Sequence, residues 1–195
     1  YEYSTVMPVI GAMSYGGIVT QVIDLPAVNS DFFDKGLVNS ADLVLVVVNN
    51  YDDLSRISPY LERTTGKRLI VWNKSDLMDF DVARKTEAKF MMSKQDFIKF
   101  SSKNTTNLEE LKKRILSKFS IMRVFTKEPK KERSVDATIM KPGSTVGHLA
   151  ERIYHGMSDN IKEIHIWGPS SKFGGQKVGL KHVLKDLDVV EFKTK

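Results

Sequence analysis

Asn73-Lys74-Ser75-Asp76 is the run whose residue types and order point most directly to chemistry. It follows the apolar run Leu69-Ile70-Val71-Trp72, which reads as a strand buried on both faces, and open α/β folds bind ligands at the C-terminal ends of such strands. From that position the Asp76 carboxylate can accept two parallel hydrogen bonds, from the N1–H and the exocyclic amino group of a guanine base. Adenine presents an acceptor at N1, and a site built on such bonds rejects the wrong partner by roughly 10⁴. In this arrangement the Asn73 amide ties the loop to its neighbours and the Lys74 stem covers one face of the base. A strand-end turn is the plainer alternative, because Asn, Ser and Asp all favour turns.

Three further groups fall into line with it. Ser101-Ser102-Lys103 follows the next expected strand, where a nucleotide site on the same sheet edge needs backbone N–H groups, such as that of Ser102, near the guanine oxygen. Asp24-Leu25-Pro26-Ala27 ends an earlier strand, with Asp24 placed to hold a water on Mg²⁺ and the Ala27 amide placed to meet a γ-phosphate. Thr5 offers a hydroxyl to the same metal. Each group taken alone is also an ordinary turn or loop; their order and shared strand-end placement carry the combined reading. No general base stands out, so no catalytic side chain is assigned, and phosphoryl chemistry in such a site rests on a positioned water and electrostatic stabilisation.

These residues need a sheet to hold them. The run from Leu43 to Val48 and the run ending at Trp72 are expected to pair as parallel strands, with a crossover helix over residues 53–64 between them. Residues 8–24, turning at Tyr15-Gly16-Gly17, read as a hairpin ending at Asp24. A helix over 80–92, a short strand at 97–100 and a helix opened by Asn107 continue the alternation. In that last helix Glu109 and Glu110 precede Lys112, Lys113 and Arg114, which suits the helix dipole, while Leu108, Leu111, Ile115 and Phe119 share one face. Strands alternating with helices imply an α/β doubly wound sheet. Past residue 120 the pattern becomes strand (122–125), charged connector (127–133), strand (137–140), Pro142-Gly143 turn, helix from Ser144 or Thr145, strand (164–167), glycine loop at Gly174-Gly175 and closing strand (189–192). That order fits a small α+β unit of β-grasp type, giving expected domains of 1–120 and 121–195.

Composition narrows the function classes. The 195 residues are 41% hydrophobic and 28% charged, as in a globular protein, and no apolar run approaches the roughly 20 residues that span a bilayer, so no membrane partner is expected. With no cysteine, disulfides and thiolate metal sites are excluded and a reducing, cytoplasmic setting is allowed. His148, His155, His165 and His182 lack the tight pairing of a zinc site and read as surface or packing residues. The net charge of +6 is uneven: Lys and Arg outnumber Asp and Glu by 16 to 15 through residue 120, and by 14 to 9 after it. A small domain with that excess is a candidate for contact with a polyanion, RNA above all, although a merely solubilising surface carries the same charge.

The sequence resembles a known family in motif and order. Tyr1-Glu2-Tyr3-Ser4-Thr5, Val22-Ile23-Asp24-Leu25-Pro26, Asn73-Lys74-Ser75-Asp76 and Ser101-Ser102-Lys103, with Asn107-Leu108-Glu109-Glu110-Leu111, are similar to the Obg-like GTPases. Arg123-Val124-Phe125-Thr126-Lys127, Lys141-Pro142-Gly143-Ser144-Thr145-Val146, Ile166-Trp167-Gly168, Gln176-Lys177-Val178-Gly179-Leu180 and His182-Val183-Leu184 with Asp188-Val189-Val190 resemble the TGS domain of the developmentally regulated GTP-binding proteins. The resemblance implies an incomplete P-loop GTPase sheet followed by a β-grasp TGS domain. It also implies GTP and GDP as ligands with Mg²⁺, GTP hydrolysis in the intact form, and a ribosome, RNA or protein partner in translation. Asn73, Lys74, Asp76, Ser101, Ser102 and Lys103 would hold the nucleotide, with Thr5, Asp24 and Ala27 at the γ-phosphate and metal. On the TGS side the loop from Lys172 to Lys177, with Lys141, Lys181 and Lys185, is the expected polyanion-facing surface; packing of that loop against the GTPase domain is the competing account.

The sequence also departs from the family. No Gly-x-x-x-x-Gly-Lys-Ser/Thr occurs, and that loop cradles the α- and β-phosphates and supplies a Mg²⁺ ligand. Residue 1 is Tyr, and the expectation is a native chain that begins earlier and carries the loop upstream; a degenerate member that binds RNA or protein without nucleotide is the alternative. Ala27 stands where the family has glycine, which keeps the amide donor but restricts the rotation that couples a γ-phosphate to a switch.

Overall fold

The computed structural model describes residues 5–194. They divide into two compact units, one comprising residues up to Met13 with Gln21–Phe119, the other Ser14–Thr20 with residues from Ser120 onward. Tyr1, Glu2, Tyr3 and Ser4, part of the family resemblance, lie outside the described residues.

Strands β1 (Val9–Tyr15) and β2 (Ile18–Asp24) pair as the expected hairpin, turning through Gly16 and Gly17, whose φ values of +59° and +81° favour glycine. Helix α1 (Lys35–Ser40) was not anticipated; it holds one buried residue, Val38, and is too short to show a period, but the Asp34 carboxylate caps it by accepting from the amides of Gly36 and Leu37. Strand β3 (Leu43–Val48) pairs in parallel with β4 (Lys67–Trp72), and β4 with β5 (Phe97–Lys99). Alternate strand residues feed two cores: Val46, Val48, Ile70 and Trp72 pack with Ala83 and Phe90 of α3 (Phe80–Met92), while Leu69, Val71 and Ile98 pack with Leu111 and Ile115 of α4 (Leu108–Lys118). That two-sided burial is what continuous apolar runs require of a parallel sheet.

The crossover expected to be helical over residues 53–64 is shorter. Helix α2 covers only Asp53–Ile57 and then tightens into a 3₁₀ turn at Ser58–Leu61, because Pro59 has no N–H to donate back to a helical carbonyl.

In the second unit, β6 (Met122–Lys127), β7 (Thr138–Met140), β8 (Ile161–Trp167), β9 (Gln176–Lys177) and β10 (Val189–Thr194) form one sheet in the order β7-β6-β10-β8-β9. Strand β10 runs parallel to β6 and antiparallel to β8. Helix α5 (Val146–Ile153) covers one face, burying Val146 and Leu149 against Met122, Val124, Ile164, Ile166 and Val190; α6 (Met157–Asn160) follows it. A reciprocal cap starts α5, the Thr145 hydroxyl accepting from the His148 amide and His148 Nδ1 accepting from the Thr145 amide. One helix across a mixed sheet is the β-grasp arrangement. Phe125, on the other face, is buried under the hairpin tip, where a Cβ on Gly17 would come within 2.8 Å of its ring.

Candidate functional site

Strand β4 ends at Trp72, which is fully buried and donates from its indole nitrogen to the Asn49 carbonyl at 3.0 Å. The Asn73 amide then donates to Val48 at 2.8 Å, so the motif begins while the chain is still fixed to β3. Lys74 adopts a left-handed φ of +54°, uncommon for a residue with a Cβ, and turns the chain into a 3₁₀ turn at Ser75–Leu77. The Ser75 amide and hydroxyl both donate to the Phe100 carbonyl, at 3.3 and 2.8 Å.

The loop after β5 is tied to the same place. Asn73 Oδ1 accepts from the Ser102 amide at 3.2 Å, and Asn107, at φ +64°, donates from its side chain to Lys99 at 2.9 Å. Ser101 is buried, with its hydroxyl accepting from the Asn104 amide. Asp76 is exposed. A hydrogen bond from the Ser101 side chain holds its carboxyl below the ordinary range, against the opposing effect of desolvation and helped by the backbone and the Lys103 ammonium. The structure therefore brings Asn73, Asp76, Ser101, Ser102 and Lys103 into one constellation at the C-terminal edge of the sheet. One expectation meets a different arrangement: the Ser102 N–H, assigned to the guanine oxygen, is engaged by Asn73. The tying role of Ser75 escaped sequence reasoning, because a serine inside a turn motif looks the same whether or not its hydroxyl is used.

Thr5 and Asp24 meet directly, the hydroxyl donating to the carboxylate at 3.2 Å. Among the described residues no cluster of three or more His, Cys, Asp or Glu can hold a metal alone. A pair of oxygens is nevertheless what Mg²⁺ takes from a protein when phosphates and water complete its shell, so the residues fit such an ion. The Ala27 carbonyl accepts from Ser30 at 2.8 Å and opens a turn.

In the second unit the candidate lysines separate into two kinds. Lys177 is committed to Glu163 at 2.8 Å, and Lys193 joins the same carboxylate at 3.3 Å; these partners hold the Glu163 carboxyl down to about 2. Lys141, Lys172, Lys181 and Lys185 are exposed, and among the described residues none of them has a carboxylate within ion-pairing distance. Their loops are joined. Val146 and Gly147 donate to His182 and Leu180, Leu184 donates to Ser144, and Ser170 Oγ meets His182 Nε2 at 2.9 Å. Neighbouring acids are consumed internally: Asp188 is buried and accepts from the amides of Ser170 and Lys185, and Asp186 takes the Arg123 amide and guanidinium at 2.6–3.1 Å.

Comparison with known proteins follows the same division. Residues 122–194 match the TGS domain family model. An uncharacterized GTP-binding protein of Methanocaldococcus jannaschii is 28% identical over 90% of this chain and 46% of its own length. Developmentally-regulated GTP-binding protein 2 of Bos taurus is 27% identical over 65% of this chain and 34% of its own. Ribosome-interacting GTPase 1 of Saccharomyces cerevisiae is 25% identical over 90% and 48%. The chain thus spans about half or less of the curated relatives it matches. The crystal structure of Era, in complex with MgGDPNP and part of 16S ribosomal RNA, shares the fold at a TM-score of 0.52, with 16% identity over 84% of this chain and 60% of that one.

Proposed function

We propose that this chain carries the base-reading edge and the TGS domain of a GTP-binding protein of the developmentally regulated, Obg-like type, whose whole form hydrolyses GTP with Mg²⁺ and contacts the ribosome or RNA through TGS. The observation that carries this reading is Asp76, exposed at the sheet edge in a loop that Ser75 ties to Phe100 and Asn73 ties to Ser102. A carboxylate so held is a ready acceptor for the two donors of guanine. Lys74 covers the base, Lys103 adds positive charge, and Thr5 and Asp24 offer the metal a hydroxyl and a carboxylate. The domain boundary belongs near residue 120, and the relatives named for GTP binding and ribosome interaction support the partner class.

Since the phosphate-cradling Gly-Lys loop does not occur in these residues, guanine recognition here is expected to be weak but selective. The test is a titration of the isotope-labelled chain with GDP and, separately, ADP at millimolar concentration. GDP should shift the backbone resonances of Lys74, Asp76 and Ser102, and ADP should leave them in place. Equal shifts with both, or none with either, would remove the nucleotide reading. Such a result would leave a second reading standing, a nucleotide-independent module acting through TGS, which the exposed Lys141, Lys172, Lys181 and Lys185 favour.

A further inference from the structure

We propose, building on the RNA-contacting reading of the TGS domain, that the loop over residues 168–176 is a stacking platform for an unpaired base of single-stranded RNA, with Phe173 as the platform and Lys172 and Lys181 as phosphate contacts. Phe173 is 64% exposed. A single exposed apolar side chain is ordinary on any surface, so exposure alone decides nothing. What sets this one apart is the loop that carries it.

The loop is held at nearly every step. Ser170 donates to Asp188, Ser171 to Gly168, Lys172 to the Gln176 side chain at 2.7 Å, Gly175 to Ile166 and Gln176 to Phe173. Two glycines let it lie against the Trp167 indole: a Cβ on Gly174 would sit 3.0 Å from the ring, and Gly175 adopts φ +76°. A ring presented from so constrained a backbone loses little freedom on binding, which is the condition for a stacking contact to contribute fully. Among the described residues no other ring packs against Phe173.

The surrounding charge selects the partner. From Gly168 to Lys185 the chain contains four lysines and no acid, and of the four only Lys177 is paired, with Glu163 at 2.8 Å. The acids just beyond, Asp186 and Asp188, are spent on Arg123 and on backbone amides. Lys172 adjoins Phe173 in sequence, and the Ser170–His182 bond fastens this loop to the one bearing Lys181. Protein interfaces are depleted in lysine at their centres, whereas an aromatic ring among uncompensated lysines matches a nucleic-acid strand, base on ring and phosphate on ammonium. In duplex RNA the bases are stacked inside and unavailable to a lone ring, so the geometry points to unpaired nucleotides.

The test uses the whole chain and a short mixed-sequence RNA, single-stranded or annealed to its complement, with affinity read by fluorescence anisotropy. Phe173→Ala should weaken single-strand binding about tenfold, the loss of one stacked base, and leave duplex binding unchanged. Lys181→Ala should weaken both. Phe173→Trp should retain affinity and have its emission quenched by the single strand. If Lys181→Ala weakens binding while Phe173→Ala does not, the platform is overturned and RNA contact through TGS stands. If the parent chain binds neither RNA, the RNA reading falls and the platform with it, leaving a protein partner for these loops.

Discussion

The side-chain oxygen of Asn73 accepts the Ser102 N–H at 3.2 Å across 29 residues of sequence, joining the loops that follow β4 and β5. Asn73 thus acts on the neighbouring loop as much as on any ligand. Asn73→Ala should cost about 1 kcal/mol of stability, the worth of one partly exposed hydrogen bond. It should also speed hydrogen exchange at the Ser102 amide while leaving Trp72 and Ile98 protected. Unchanged exchange at Ser102 would show that the other ties, from Ser75 to Phe100, hold the loops without it.

Asp76 offers a sharper test of base reading. Its carboxylate suits the two donors of guanine, and an amide in its place presents one acceptor and one donor. Xanthine replaces the exocyclic amino group by a carbonyl, which matches that pattern. Asp76→Asn should therefore weaken GDP binding by about 100-fold and favour the xanthine nucleotide, a reversal of selectivity that general loop damage does not produce. Competition between the two diphosphates on parent and variant reads it directly.

Much of this site is legible in the sequence, for a physical reason. The runs ending at Val48 and Trp72 are apolar on both faces, so they announce buried parallel strands, and the motif that follows sits at the C-terminal edge of the sheet, where open α/β folds generally bind ligands. Helix α1 and strand β9 gave no such signal; six and two residues are too few for a period, and their existence rests on the Asp34 cap and on pairing of Gln176 and Lys177 with β8. Hydrogen-bond ownership was equally hidden. Whether the Ser102 amide faces a ligand or Asn73, and whether Lys177 is free or paired, depends on distances between residues far apart in sequence. Phe173 was missed although the acid-free stretch around it was in plain view, because a lone aromatic gains meaning only when its loop is seen to be fixed.

Glu163 makes a prediction about acid stability. Its carboxyl is held near pKa 2, chiefly by Lys177 and then by Lys193, against an ordinary value of 4.5. A depressed folded-state pKa means that its stabilisation is present above the unfolded value and is lost as pH falls through the folded one. Melting temperature should accordingly drop between about pH 4.5 and pH 2, and more steeply in the parent than in Glu163→Gln, the two curves converging at the acid end. Parallel curves across that range would show that the two lysines do not act on this carboxylate in solution.

The same pairing distinguishes lysines that look alike in the sequence. Releasing counterions from single-stranded RNA gives a slope of log affinity against log salt that falls by about 0.7 for each phosphate contact removed. Lys181 and Lys172 have no carboxylate partner among the described residues and should each contribute such a step when changed to Ala. Lys177 is bound to Glu163 at 2.8 Å and must surrender that pair to reach a phosphate, so Lys177→Ala should change the slope by much less. In a Glu163→Gln background Lys177 is released from that pair, and its replacement by Ala should then lower the slope as the others do. Measuring the slope for the parent, the three single lysine variants, Glu163→Gln and Glu163→Gln with Lys177→Ala separates a surface defined by free charge from one defined by the number of lysines; equal steps at Lys177 and Lys181 in the parent background would favour the latter.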